Sequence, residues 1–203
     1  QNGKLQYLFG AGNKICLIDR LGRSVRGFPV MLPPNFDAAH TTVFKLPSSE
    51  HFHVLVVDKK GHAYLINRWG NVLKGWQPRR LLAPPAQAPT FVRIEKEDML
   101  IFPLQNGTIE VLQLNARPSP GFPMILGVES QSGIAIKKGA DKSQSALFTV
   151  NNAGELIKVS LSGKLLQRSA LEGLPVGATF QVCTDEQKGG FFVLGGFHRN
   201  HAI

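Results

Sequence analysis

The chain has 203 residues, of which 43% are hydrophobic, and it carries a net charge of +9. This composition predicts a globular protein with a sizeable core, and no apolar run approaches the roughly 18 residues that a membrane-spanning helix needs. Two cysteines, Cys16 and Cys183, are too few for a disulfide scaffold or a cysteine-built metal site. We expect both to be free thiols, and we expect no signal peptide in the polar first residues.

Four glycines return at intervals of 46 to 49 residues, each between two short apolar runs. The runs before them are residues 7–9, 54–57, 99–102 and 146–150, and the runs after them are 15–18, 63–66, 109–112 and 156–159. Glycine supplies the positive φ that a tight turn requires, so each run, turn and run predicts a β-hairpin. The four turn glycines are Gly12, Gly61, Gly107 and Gly154.

A second marker follows the first three hairpins with nearly the same period. It reads Gly27-Phe28-Pro29, Gly75-Trp76-Gln77-Pro78 and Gly121-Phe122-Pro123. Aromatic rings bury large areas between sheets, glycine permits a close approach, and proline ends an edge strand, so we interpret the marker as structural. Stacking of carbohydrate on these rings is the alternative. The fourth equivalent, Gly173-Leu174-Pro175, departs from the spacing of the others.

The second unit illustrates the predicted organisation. Its apolar runs predict four strands, over residues 40–46, 52–57, 62–67 and 72–76. Opening strands of later units are predicted at 90–94, 133–137 and 178–183. Four antiparallel strands that recur every 40 to 50 residues or so are typical of a β-propeller, in which each sheet is one blade.

The repeat divides the chain into units at about 1–34, 35–85, 86–127, 128–175 and 176–203, which we interpret as a single propeller domain or a propeller fragment. The first unit lacks an opening strand, and the fifth shows two strands, at 178–183 and 191–194. Two arrangements remain open. Either a C-terminal strand pairs beside residues 7–9 and closes a ring, or the chain is an arc of a larger propeller, which the uneven ends favour.

The hairpin, the polar glycine turn and the Gly-aromatic-Pro marker together resemble the repeats of quinoprotein-like and related propellers, which occur in many bacterial envelope or exported proteins. The resemblance covers almost the whole chain. It implies a propeller fold and a location in the cell envelope or outside the cell. The Thr-Gly-x-x-x-Trp docking motif of true quinoprotein repeats is missing, so we expect no quinone cofactor.

The turns and acidic residues give no pattern of catalytic or metal-binding groups. Each of the turns 19–22, 58–61 and 67–70 offers one side-chain oxygen and at least one cation, which argues against calcium. Glu95, Glu97 and Asp98 alternate with Lys96 and predict a solvated hairpin tip. No Gly-x-Ser-x-Gly elbow and no phosphate-binding loop is present. We therefore expect no cofactor and no catalytic residues.

Histidine occurs in two close pairs, His51 with His53 and His198 with His201. A zinc site needs a third or fourth ligand, and none is spaced beside either pair. We expect surface or packing histidines and no bound metal.

Three functions are compatible with this sequence. The first is a noncatalytic scaffold that binds a protein partner, as a module of a larger bacterial envelope or exported protein. The second is binding of a polyanion, either nucleic acid or acidic glycan, for which Lys74, Arg79 and Arg80 beside Trp76 are the best candidates. The third is a hydrolase or lyase with a site in the channel. The sequence does not indicate the ligand or the oligomeric state.

Overall fold

The computed structural model describes residues 5–46, 51–128 and 133–172 in full, and the backbone of 179–185 and 190–196. These ranges contain seventeen strands and no helix. The strands are β1 (Gln6–Ala11), β2 (Lys14–Asp19), β3 (Val30–Met31), β4 (Ala38–Lys45), β5 (Phe52–Asp58), β6 (His62–Asn67), β7 (Arg79–Arg80), β8 (Thr90–Ile94), β9 (Glu97–Pro103), β10 (Thr108–Gln113), β11 (Met124–Ile125), β12 (Ala135–Lys137), β13 (Ala146–Val150), β14 (Glu155–Ser160), β15 (Leu165–Ala170), β16 (Thr179–Asp185) and β17 (Gly190–Gly196).

The strands form five antiparallel sheets in chain order, which confirms the all-β class. The first sheet is β1-β2-β3, three four-stranded sheets follow as β4 to β7, β8 to β11 and β12 to β15, and β16 pairs with β17. All four hairpin glycines have positive φ, between 59° at Gly12 and 83° at Gly61. The predicted hairpins and their turns are therefore confirmed.

The predicted closing strand of the second unit, residues 72–76, is wrong. Val72 makes only an isolated bridge to Ile66, and the closing strand is β7, which pairs with His62 and Ala63. The chain turns away between them because Gly75 has a φ of 89° and the ring of Trp76 enters the core. The following Gln77-Pro78 bond is cis, as are the equivalent bonds Phe28-Pro29 and Phe122-Pro123. The Pro78 nitrogen has no hydrogen to donate, so the ladder resumes only after it.

The described strands at the start and the end of the chain do not pair in one sheet. Among the described strands, β1 pairs only with β2, while β16 and β17 pair with each other and β16 lies beside β12 and β13. The ring closure that would pair residues 178–183 or 191–194 with residues 7–9 is absent from these strands.

The first four sheets pack face to face, and each successive pair of them encloses an apolar core. Phe28, Trp76 and Phe122 are each buried in a different one of the three cores between the first four sheets, with exposures of 7%, 0% and 7%. The indole Nε1 of Trp76 also donates a hydrogen bond to the carbonyl of Leu114 in the next sheet, at 2.7 Å. The aromatic residue of the marker is therefore a plug between neighbouring sheets.

The glycine of each marker lies against a turn of the next sheet. The Gly27 backbone packs on Trp69 and Gly70, and that of Gly121 on Ser162 and Gly163, so closely that an added Cβ would clash with backbone atoms. At Gly75 an added Cβ would meet the carbonyl oxygen of Asn115 at 3.1 Å. Each of the three markers thus uses a glycine to bring its strand onto the following sheet, which sets the distance between the sheets.

We predict that Phe122→Ala lowers the free energy of unfolding by about 3 to 5 kcal/mol, because it leaves a cavity between the third and fourth sheets. Ile125→Ala is the matched control, since Ile125 lies nearby in sequence but is 79% exposed. Its effect should stay within about 0.5 kcal/mol. Urea denaturation measures both, and equal midpoints for Phe122→Ala and the unmodified chain would contradict the role of the plug.

A second prediction compares Gly70→Ala with Gly22→Ala. Both glycines end the same kind of turn at similar φ, 82° and 76°, so both variants should lose about 1 to 2 kcal/mol through the left-handed backbone. Only Gly70 faces another backbone, that of Gly27. Gly70→Ala should therefore lose roughly 1 to 3 kcal/mol more. Equal losses in thermal or urea melts would show that the contact does not control the distance between sheets.

Candidate functional site

The described residues hold no cluster that is suited to metal chemistry. Within them, no group of three His, Cys, Asp or Glu side chains could hold a metal ion. Cys16 is a free, partly exposed thiol. The side chain of Cys183, and both His198 and His201, lie outside the described residues. None of the described residues belongs to a helix of the length and apolar character that crossing a bilayer requires.

The three basic residues suggested for polyanion binding differ in their surroundings. Arg79 is held between sheets, because its Nη2 donates to the Glu110 carboxylate at 3.2 Å. Glu110 is 2% exposed and also accepts a hydrogen bond from the Leu82 backbone at 3.1 Å. Lys74 and Arg80 have exposed side chains. Arg79 is thus the partner of a buried carboxylate, and only Lys74 and Arg80 extend freely from this group into solvent.

The acidic group is less solvated than the sequence predicts. Glu97 and Asp98 begin β9, and only Glu95 and Lys96 form the turn. Both Glu97 carboxylate oxygens accept hydrogen bonds at 2.9 Å from Lys142 of the next sheet, and Asp98 lies 3.5 Å from Arg93. These carboxylates connect strands and sheets.

His53 is buried beside the same acidic group. The side chain is 9% exposed, stacks on Phe44 with ring centroids 5.8 Å apart, and has an Nδ1 without a hydrogen-bond partner. Burial lowers the pKa of His53 below its usual 6.5, the positive charge of His51 acts in the same direction, and Asp98 opposes both. Its neutral ring is a packing element. His51 precedes β5, whereas His53 is the second residue of that strand.

An exposed cluster of His51, Arg68 and Trp69 is the best candidate for an interaction site. Trp69 is 50% exposed. The Arg68 guanidinium lies 5.1 Å from the centroid of the indole ring, and its Nη1 is 2.7 Å from His51 Nδ1. The imidazole of His51 meets the indole edge-on, with centroids 4.9 Å apart. Two cationic or polar groups therefore hold one large aromatic ring in place at the surface.

Asn67 fixes the turn that carries this cluster. Its side-chain oxygen accepts hydrogen bonds from the backbone N–H groups of Trp69, at 2.9 Å, and Asn71, at 3.0 Å. The backbone of Trp69 is also packed under Gly27 of the preceding sheet. The main chain is therefore immobilised from both sides while the indole ring extends outward.

Sequence reasoning missed this cluster, although one signal was available. Leu21, Asn115 and Ser162 occupy the same place in the other three turns, so Trp69 is an aromatic residue where the repeat does not need one. That His51 lies against it follows from the register of β5 and β6, in which His53 is opposite Asn67. The register depends on the hairpin geometry and could not be read from the residues alone.

Comparison with solved structures shows the fold. The chain is similar to BBS1N in its complex with ARL6DN, with 14% identity over 95% of this chain and 59% of that chain and a TM-score of 0.65. It is similar to the WD40 domain of SCAP from fission yeast, with 14% identity over 89% of this chain and 43% of that chain and a TM-score of 0.56. A Bacteroides caccae protein of unknown function is 18% identical over 93% of this chain and 64% of that chain, with a TM-score of 0.50.

These similarities, together with the succession of antiparallel sheets, confirm a β-propeller fold of about four blades. Identities this low carry no information on activity. No protein-family profile matches the sequence, and no curated protein sequence matches it significantly. The chain spans 59% or less of the BBS1N and WD40 chains that it resembles.

The buried histidine gives a pH prediction. Because the pKa of His53 is lower in the folded protein than in the unfolded chain, the unfolded chain takes up the proton first as the pH falls. Stability is therefore lost below about pH 6.5, and the loss is complete below the folded pKa. His40, whose pKa burial also lowers, adds to the same window. The lowered pKa values of Asp19, Asp141 and Glu155 act only at more acid pH.

His53→Phe should reduce this pH dependence, because the ring keeps the stacking on Phe44 and loses the titrating group. The measurement is the free energy of unfolding in urea at about pH 7.5 and about pH 5.5, where the carboxylates contribute little. A pH dependence equal to that of the unmodified chain would show that burial of His53 does not control stability in this range.

Proposed function

We propose that this chain is a noncatalytic β-propeller module of a larger bacterial envelope or exported protein, of the quinoprotein-like kind, and that it binds a protein partner. The contact surface is the cluster of His51, Arg68 and Trp69. The single observation that carries this proposal is the half-exposed indole of Trp69, held by His51 and Arg68 on an immobilised turn.

The energetics of interfaces support this assignment. Trp and Arg dominate the binding energy of protein interfaces, and a ring that is already ordered loses little entropy on binding. The fold does not need the indole, since the Trp69 contact with Gly27 is made by the backbone. An aromatic residue exposed without a structural purpose is better explained by a partner. One similar propeller, BBS1N, is itself in complex with ARL6DN, which supports a protein-binding role by analogy of fold.

The charge of the chain indicates the chemistry of the partner. The net charge of +9 attracts acidic surfaces, and Arg68 offers a guanidinium beside the indole. A segment with a carboxylate next to an apolar side chain would pair with both groups. We therefore propose an acidic protein segment as the ligand.

Polyanion binding is the second candidate, and the exposed side chains of Lys74 and Arg80 favour it. Retention on heparin separates the two functions. A polyanion site neutralises several phosphates or sulfates and loses affinity steeply with salt, whereas binding through Trp69 depends on apolar contact and loses less. Lys74→Gln with Arg80→Gln should then abolish heparin retention without affecting the protein ligand.

Selection from a library of displayed random peptides tests the proposed function. Peptides selected on the unmodified chain should carry acidic and apolar residues, and Trp69→Ala should weaken their binding about tenfold or more. Arg117→Ala is the control, since Arg117 follows the equivalent turn of the next sheet, which carries no aromatic residue.

The proposal is contradicted if the selected peptides bind Trp69→Ala and the unmodified chain with equal affinity. Circular dichroism and thermal melts of Trp69→Ala confirm that any loss of binding comes from the ring. Binding that Arg117→Ala weakens as much as Trp69→Ala would indicate general charge attraction.

A further inference from the structure

The first sheet has an outer face that no described residue covers. Tyr7 and Phe9 of β1 are 55% and 44% exposed, whereas the neighbouring Leu8 packs into the core with the second sheet. Phe9 is paired with Cys16 and Tyr7 with Ile18, so these four side chains share the outer face. We call this set the open face. An apolar sheet face of this kind is rare on a monomer and marks a contact surface.

The turn beside the open face has the geometry of the three turns that receive a marker glycine. In the receiving turns that end at Gly70 and Gly163, the glycine N–H donates to the residue three positions earlier at 3.0 Å, and Gly22 donates to Asp19 at the same distance. Ala116 closes the remaining turn at a φ of 64°. The turn of residues 19–22 is therefore a fourth copy of the receiving turn.

This fourth turn receives nothing from the described residues. An added Cβ at Gly22 would meet no atom within 4 Å, whereas one at Gly70 or Gly163 would clash with the glycine of the preceding marker. Leu21, beside it, is 65% exposed. The open face and the vacant turn thus lie on the same sheet, in the relation that occurs at each of the three internal contacts.

We propose that the open face is the seat of another propeller blade, a four-stranded sheet whose Gly-aromatic-Pro segment docks on Leu21 and Gly22. The three internal contacts define the chemistry of this partner. Its glycine would pack on the Gly22 backbone, its aromatic ring would fill the space over the open face, and its apolar sheet face would cover Tyr7 and Phe9. The contact continues the interface that the chain already makes three times between its own sheets.

The chain provides its own probe for this site. We design an extended chain in which a copy of residues 38–96 is placed before Lys4. This copy supplies the second blade, with its Gly75 and Trp76, and a copy of Thr90–Ile94 that serves as an opening strand beside β1. The parent chain and all its variants in this experiment carry Cys183→Ser, so that maleimide reacts only with Cys16 on the open face. The rate of this labelling measures how well the face is covered.

The extended chain should label at Cys16 at least about tenfold more slowly than the parent, and should remain monomeric in sedimentation. Gly22→Ala is the matched variant. In the parent chain it should not change the labelling rate, because no described residue faces Gly22 and Cys16 is already partly exposed, and in the extended chain it should restore rapid labelling, because the added Cβ excludes the docking glycine.

Three outcomes would overturn the proposal. The first is an extended chain with the added strands in its circular dichroism spectrum but with unchanged labelling of Cys16. The second is a parent chain that dimerises and whose Cys16 labels more slowly as the dimer forms, because a second copy of the chain would then occupy the open face. If the added blade does not fold, a second extension built from residues 90–144, with Phe122 as its aromatic residue, replaces it. The third outcome is that neither extension protects Cys16 from labelling.

Discussion

The structure depends on one contact, the packing of a glycine backbone on a turn of the following sheet. Gly27, Gly75 and Gly121 make it in turn, and each is followed by an aromatic side chain that enters the core between the two sheets. The glycine sets how closely the sheets approach, and the ring fills the space that this approach defines. A side chain at the glycine would separate the sheets and leave the plug in a gap. The apolar faces of the sheets are then buried only because their neighbours are held at the right distance.

The exposed side chains on the turn of residues 67–70 take no part in this contact, which involves only the backbone there. The cluster at Trp69 therefore needs an explanation other than packing between sheets. The backbone of residues 67–71 is fixed by the Asn67 side chain and by Gly27, so the side chains of Arg68 and Trp69 are not needed for folding. The equivalent positions are occupied by Leu21, Asn115 and Ser162, so the fold accepts very different side chains there. An Arg-His-Trp cluster there is better explained by binding than by stability, and it adds an aromatic surface to a scaffold that is otherwise repetitive.

Much of the fold could be predicted because glycine and proline have strong local effects. The positive φ at Gly12, Gly61, Gly107 and Gly154 follows from their position between two apolar runs. The prediction of a closing strand at residues 72–76 was wrong because these residues have the composition of a strand, yet tertiary packing places the Trp76 ring in the core. The glycines that end these turns form a ladder of their own, at Gly22, Gly70 and Gly163, with Ala116 in the remaining place. That ladder was visible in the sequence, but the contact between its members and the markers is a tertiary property. The cluster at Trp69 likewise depends on a hairpin register that spacing alone does not provide.

Native-state hydrogen exchange, resolved by strand, tests most directly whether stability resides in the contacts between sheets. The ladder between β1 and β2 is as complete as that between β5 and β6, but the described residues cover the first sheet on one face only, whereas the second lies between two neighbours. We predict that the amides of β1 and β2 exchange well before those of β5, β6, β9 and β10. Equal protection of β1 and β5 would contradict this account, because it would show that each hairpin is stable by its own ladder and not through its neighbours.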